Sequence, residues 1–374
     1  MARHLWLVET GEEFIDGWLD EAVGMGEELR ARWLLGWANA ASETTLGESR
    51  LQRAASAYEG ALEVYRREAM PTDWAMTQNN LGAVLRVLGL RENDPEALRR
   101  AVRAYESALE VRRRDTMPAD WAKIQNNLGN VLRVLGEREN DPGVLRKAVS
   151  AYESALEVYR RETMPANWAT IQNNLGNVLQ VLGQRENDPG VLRKAVSAYE
   201  SALEVYRRET MPAAWAMTQN NLGNVLQALG ERENDPVALQ RAVSAFESAL
   251  EVRQRETMPA AWAATQNNLG AVLGVLGERE NDPDALRRAV SAYESALEVR
   301  RRETMPADWA MTQNNLGNVL SVLGELENDP DALRKAVSAY ENALEVFDST
   351  STPGYREIVE RNLARVRRLL EQID

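Results

Sequence analysis

The chain has no cysteine in its 374 residues. That removes disulfides, thiolate metal sites and cysteine nucleophiles at once. It has one histidine, His4, so neither a histidine-based triad nor a histidine metal cluster is expected. Phenylalanine occurs three times, and no run approaches the 18 or so consecutive apolar residues of a membrane span. The opening segment MARHLWLVETGEEF lacks the apolar stretch of a secretion signal, so a cytoplasmic protein is expected. Positive charge is in deficit. The net charge is −13, which argues against binding a phosphate backbone. The deficit sits at the two ends. Residues 1–69 hold 13 acids and 7 bases, residues 305–351 hold 8 and 2, and residues 164–210 hold 5 of each. With no catalytic constellation in view, the expectation is a non-enzyme that needs no cofactor and no metal.

What the chain has in abundance is itself. Met-Pro recurs at Met70, Met117, Met164, Met211, Met258 and Met305, always 47 residues apart. A fixed period of this size marks a solenoid, in which each unit buries its apolar face on its neighbours. Six units are read at 70–116, 117–163, 164–210, 211–257, 258–304 and 305–351. Residues 1–69 are read as an N-terminal helix over 11–23 plus a degenerate capping unit over 27–69. Residues 352–374 are read as a C-terminal capping helix. That last helix keeps the period, with Leu316 mapping to Leu363, but Trp309 becomes Arg356 and Leu320 becomes Arg367.

One unit reads as two helices of roughly 18 residues each. In the second copy, Pro118 opens the first helix and Asp120 suits its positive end. Trp121, Leu128, Val131, Leu132 and Leu135 follow at helical spacing, and Gly136 is the expected C-cap. Asp141 is the N-cap of the second helix, with Pro142 at its first position. Leu145, Ala148, Val149, Tyr152, Ala155 and Leu156 form its apolar stripe, and Arg160 and Arg161 are expected near its C-terminus. Nothing alternates with period two, so the fold class is all-α.

These residues resemble the tetratricopeptide repeat. Leu128-Gly129 matches its Leu-Gly pair, Leu132 takes the place of its Tyr, and Ala148 with Tyr152 matches its Ala-x3-Phe. Gln125 stands where the usual Trp would be. The unit looks like an elongated variant, similar to the arrays of bacterial regulatory proteins that carry a caspase-like or nucleotide-binding module. No GxxxxGK[ST] loop or cysteine is present to form such a module. The resemblance implies a right-handed α-solenoid of antiparallel helical hairpins, a superhelix whose first-helix face lines a concave groove.

Copies two and three differ at four positions of 47: Asp120/Asn167, Lys123/Thr170, Arg133/Gln180 and Glu137/Gln184. Across the copies, one stripe of that helix varies most. Its series are Met76, Lys123, Thr170, Met217, Ala264, Met311; then Ala83, Asn130, Asn177, Asn224, Ala271, Asn318; then Arg86, Arg133, Gln180, Gln227, Gly274, Ser321. Positions i, i+7 and i+10 fall within about 80° of one another, opposite the Leu81–Leu85–Leu88 stripe. Inside the stripe is a fixed row: Asn79, Asn126, Asn173, Asn220, Asn267 and Asn314, each followed by a second Asn. An Asn amide both donates and accepts, so such a row can hold an extended peptide backbone. Bonding between neighbouring helices is the competing role. Arg86, Lys123 and Arg133 make the stripe basic in the first two copies, which points to an acidic or C-terminal carboxylate end on the ligand. The family's carboxylate clamps use Lys, Asn and Arg on this face. Lys123 and Asn130 fit such a set, whereas Asn79 and Asn126 stand where its lysine belongs.

The function expected is a protein-interaction scaffold that binds an extended peptide. The alternatives are a self-assembling homo-oligomer, down to a homodimer, or a regulatory subunit of a separate effector. Peptide contact is expected from Asn79, Arg86, Lys123, Asn126, Asn130, Arg133, Asn173, Asn177, Asn220, Asn224, Asn267, Asn314 and Asn318. The partner expected is a protein or peptide, with neither nucleic acid nor membrane.

Overall fold

The computed structural model describes residues 26–42, 48–347 and 353–373. His4 and the helix expected over 11–23 lie outside them. Among the described residues there are fifteen helices and no strand. They are α1 (Glu27–Ser42), α2 (Glu48–Val64), α3 (Pro71–Arg91), α4 (Pro95–Leu109), α5 (Pro118–Glu139), α6 (Pro142–Leu156), α7 (Pro165–Glu186), α8 (Pro189–Leu203), α9 (Pro212–Glu233), α10 (Pro236–Leu250), α11 (Pro259–Glu280), α12 (Pro283–Leu297), α13 (Pro306–Glu327), α14 (Pro330–Leu344) and α15 (Pro353–Ile373). The chain forms two compact units, residues 1–186 and 187–374. Each is a stretch of TPR-like α-solenoid, with consecutive helices packed in antiparallel pairs and pair stacked on pair. Within each unit the first helices of successive hairpins also touch one another, as α3 does α5 and α9 does α11, while successive second helices do not. The first helices therefore crowd the inner side of each stack.

The Asn-Asp-Pro turn makes the hairpin, in a way that corrects the sequence reading. The first helix does not stop at Gly136. It runs to Glu139, and Asn140 caps it in the left-handed conformation (φ 54°), as do Asn93, Asn187, Asn234, Asn281 and Asn328. Asn tolerates this conformation better than other residues with a Cβ. Asp141 then accepts from the N–H groups of Gly143 and Val144, and Pro142 fills the first position of the next helix. In the six copies first helices thus have 21 or 22 residues and second helices 15, not equal lengths. The second helix ends at Leu156, so Arg160 and Arg161 lie beyond it.

Glycine inside the first helix serves packing. A Cβ on Gly129 would stand 2.8 Å from Tyr152 Cε1, one on Gly223 2.6 Å from Phe246 Cε1, and one on Gly136 2.9 Å from Leu145 Cδ2. The two helices approach so closely that an aromatic ring lies flat on bare backbone. Tyr152 and Phe246 are wholly buried as a result. Each such burial stabilises by about 1.5–3 kcal/mol.

Polar contacts join hairpin to hairpin. Arg138 donates to the Gly89 carbonyl at 2.7 Å, and Arg279 does the same to Gly230 at 3.1 Å, each satisfying a carbonyl near the end of the preceding first helix. Exposed ion pairs run along the outside, Arg99 to Glu139, Arg193 to Glu233 and Arg287 to Glu327 among them. Such pairs contribute little on a wet surface. Arg114 and Arg302 also lie over the rings of half-buried Trp121 and Trp309.

A buried stitch is of greater weight. Thr265 Oγ1 accepts from Arg253 Nη1 at 2.7 Å and lies 3.1 Å from Asn220 Oδ1 in the preceding hairpin. Arg300, Thr312 and Asn267 repeat the arrangement at 2.9 and 3.2 Å. Where the threonine is absent, that donor is missing, and in two copies nothing replaces it. Asn79 faces the position of Ile124 and Asn314 that of Val359, and both Asn Oδ1 atoms are buried with no partner.

Two stability measurements check these accounts. Asn281→Ala forces an ordinary side chain into the left-handed region and should cost about 1–2 kcal/mol in urea unfolding, whereas Asn281→Gly should be nearly neutral. Thr265→Val leaves Arg253 and Asn220 short of a partner and should cost about 1–3 kcal/mol. An unchanged midpoint for Thr265→Val would show that the stitch contributes nothing.

Candidate functional site: the first-helix face

In residues 1–186, α3, α5 and α7 carry the site residues anticipated there. Asn79 is half-buried and donates to Asn80 Oδ1 at 3.1 Å. Asn80 in turn donates to Asn39 Oδ1 at 2.9 Å, an oxygen that also accepts from Tyr58 OH at 2.7 Å. Asn126 Oδ1 accepts from Asn174 Nδ2 at 3.2 Å, and Asn130 Oδ1 from Tyr152 OH at 2.9 Å. Asn173 is 4% exposed, and Asn177 is half-buried. Arg86 is half-buried; Arg133 is held to Glu137 at 2.5 Å. Lys123 is exposed. It shares a cavity of about 210 Å3 with Asn126, Tyr159, Asn167 and Thr170, between α5 and α7.

In residues 187–374 the pattern continues on α9, α11, α13 and α15. Asn220 is 8% exposed, and its oxygen is taken by Thr265. Asn224 Oδ1 accepts from Asn268 Nδ2 at 3.0 Å. Asn267 Oδ1 lies 3.2 Å from the Thr312 hydroxyl. Asn314 donates to Asn315 Oδ1 at 3.5 Å. Asn318 Oδ1 accepts from both Tyr340 OH at 2.8 Å and Asn362 Nδ2 at 3.1 Å.

The structure therefore gives the row a structural role throughout. One kind of amide oxygen recurs, in Asn39 and Asn318, receiving the phenol of its own hairpin and the second Asn of the next. The series containing Asn130, read from sequence as a solvent stripe, is this inward-bonded position. Asn126, Asn220 and Asn267 of the fixed row are bonded through their oxygens, and their Nδ2 groups donate to no protein group among the described residues, whereas Asn79 and Asn314 are bonded through Nδ2.

Of the other two varied series, that of Arg86 and Arg133 is half-buried and becomes fully buried at Gly274 and Ser321, against the solvent stripe read from sequence, while that of Lys123 is largely on the surface. Met217 and Met311 are each 42% exposed, and Ile358, one period on, is 43% exposed; Ala264 stands between the methionines in sequence. This apolar row contrasts with Lys123 and Thr170, which follow Met76 on the other unit. Sequence reading did not register Ile358 as part of the row. Nor did it see the Arg–Thr–Asn stitch, whose signal is the alternation of Thr-Gln-Asn-Asn with Ile-Gln-Asn-Asn between copies.

Burial raises the phenol pKa values, to about 12 for Tyr105 and further for Tyr152, Tyr293 and Tyr340. It lowers those of the Arg253 and Arg300 guanidiniums. Among the described residues no three acidic or histidine side chains come together to hold a metal ion, and no helix is long and apolar enough to cross a membrane.

No protein-family model matches the chain, and no curated protein does. Solved structures do. The chain is similar to the apo form of RapI at 14% identity, over 92% of this chain and 85% of that one, with a TM-score of 0.56. It is also similar to the C-terminal part of a TPR repeat-containing protein from Cytophaga hutchinsonii at 14% identity, over 85% of this chain and 99% of that one, with a TM-score of 0.50. These likenesses agree with the paired helices, the glycine-seated aromatic rings and the Leu-Gly…Ala-x3-Tyr core: by fold, the chain is a tetratricopeptide-like repeat protein.

Proposed function

We propose that the chain is a non-enzymatic interaction scaffold that binds an extended peptide along its first-helix faces. The observation that carries this is where near-identical copies diverge. Copies keep their core and change the exposed series of Lys123, Met217 and Met311. Behind that series lie amide donors not used by the fold. A flexible, polarisable methionine suits adaptable contact with apolar side chains. Nδ2 groups suit backbone carbonyls. In this reading residues 1–69 and 352–374 cap six units over 70–351.

Each unit offers contacts of its own to a ligand. Residues 187–374 offer an apolar row for hydrophobic side chains. In residues 1–186 the cavity at Lys123, with Asn126 and Asn167, offers a cation and two amides to an acidic side chain or a terminal carboxylate.

The test begins with peptides selected on the purified chain from a random library with free C-termini. Met217→Glu with Met311→Glu should weaken the selected peptides at least ~10-fold, equal to about 1.4 kcal/mol. Lys123→Glu should weaken free-acid peptides more than their C-terminal amides. Helical content should not change in either variant. Affinity untouched by both would sink the first-helix reading and favour the second-helix side or self-association.

A further inference from the structure

The fifth copy departs from the others at two first-helix positions together. Ala271 stands where Asn224 and Asn318 stand in the flanking copies, and Gly274 where the others have Arg, Gln or Ser. The first copy also has an alanine, Ala83, but it keeps Arg86 close to Tyr105. Only in the fifth copy are both side chains reduced. A cavity of about 240 Å3 occupies the site, in the stack of α9, α11, α12 and α13.

The cavity has a chemical orientation. In other hairpins one Asn oxygen receives two donors, as Asn318 Oδ1 receives Tyr340 OH and Asn362 Nδ2, and Asn39 Oδ1 receives Tyr58 OH and Asn80 Nδ2. The corresponding donors in the fifth hairpin are Tyr293 OH and Asn315 Nδ2, and both residues line the cavity. Ala271 offers neither of them an oxygen. Tyr293 is 2% exposed overall, and among the described residues no protein group bonds its hydroxyl. The hydroxyl opens on the cavity, so an acceptor bound there would take the place of solvent on this donor. Val275, Val319 and Val322 form an apolar wall around the donors. No lysine or arginine lines the cavity, and the single charged group is the Glu278 carboxylate. An anion would enter with nothing to neutralise it, which disfavours a carboxylate against a neutral carbonyl.

We propose that this cavity is a specificity pocket for a carboxamide side chain, Gln or Asn, of a bound peptide segment. Its carbonyl oxygen takes the place of the missing Asn oxygen between Tyr293 OH and Asn315 Nδ2. Gln227, which also lines the pocket and uses only its Nε2 within the protein, can accept from the amide N–H2 group through Oε1. The pocket rests on the peptide-binding reading only for the source of the carboxamide, and a small probe examines it alone.

The full chain, labelled at its valine methyls, is titrated by NMR with N-acetylglutamine N′-methylamide. The glutamate and norleucine counterparts serve as comparisons. Saturable shifts at Val275, Val319 and Val322 are expected for the glutamine probe, with at least ten-fold weaker response to the other two. Ala271→Asn restores the arrangement of the neighbouring copies, so it should abolish the response and raise the melting temperature. Tyr293→Phe, which removes one donor and keeps the ring, should weaken the glutamine probe while helical content holds. Absence of saturable shifts, equal response to the glutamate probe, or a response surviving Ala271→Asn would each overturn the pocket. None of these outcomes would touch the methionine-row reading, which rests on different side chains.

Discussion

The contact of an aromatic ring with bare glycine backbone governs the rest of this architecture. With Tyr152 on Gly129, or Phe246 on Gly223, the two helices of a hairpin come closer than any side chain at those glycines would allow. The contact fixes the height of the phenol. Its hydroxyl then meets an amide on the first helix, and that amide becomes the meeting point for the next hairpin's second Asn. One steric choice in the core thereby places a polar ladder along the inner side of each stack. Swapping a tyrosine for Phe246 removes one donor and leaves the stacking intact, because Asn224 still receives Asn268.

Apolar burial supplies the stability and the polar groups supply the alignment. The exposed arginine–glutamate pairs repeat along the surface, but each is screened. The Arg253–Thr265–Asn220 stitch is different, since Thr265 and Asn220 are buried and Arg253 is half-buried. Of the copies that carry Ile or Val in the threonine's place, two leave an orphaned amide oxygen, at Asn79 and Asn314, while opposite Ile171 the Asn126 oxygen takes Asn174 as its donor instead. The same logic produces the pocket of the fifth copy. There the acceptor is lost and the donors stay.

Much of this was legible in the sequence. The Met-Pro period announced stacked units, and the Ala-x3-Tyr pattern announced the helical hairpins. The Asn-Asp-Pro turn was half read. Asp141 and Pro142 do what their chemistry says, but Gly136 reads as the cap because glycine is the usual left-handed residue. Only packing shows that Gly136 is needed against Leu145 and that Asn140 makes the turn. The Asn row was visible as a row, but which of its atoms the fold uses was not. That depends on a hydroxyl or a methyl contributed by the next copy. The pocket was out of reach for the same reason. Ala271, Tyr293 and Asn315 converge only when hairpins stack, and a list of variable positions does not say which of them share a space.

The central claim is that the first-helix faces, not the second helices or the chain ends, receive the partner. Hydrogen–deuterium exchange of the full chain, with and without a saturating selected peptide, measures this most directly. The account predicts added protection in 212–233, 259–280 and 306–327, with 236–250, 283–297 and 330–344 unchanged. Protection confined to that second set would contradict it.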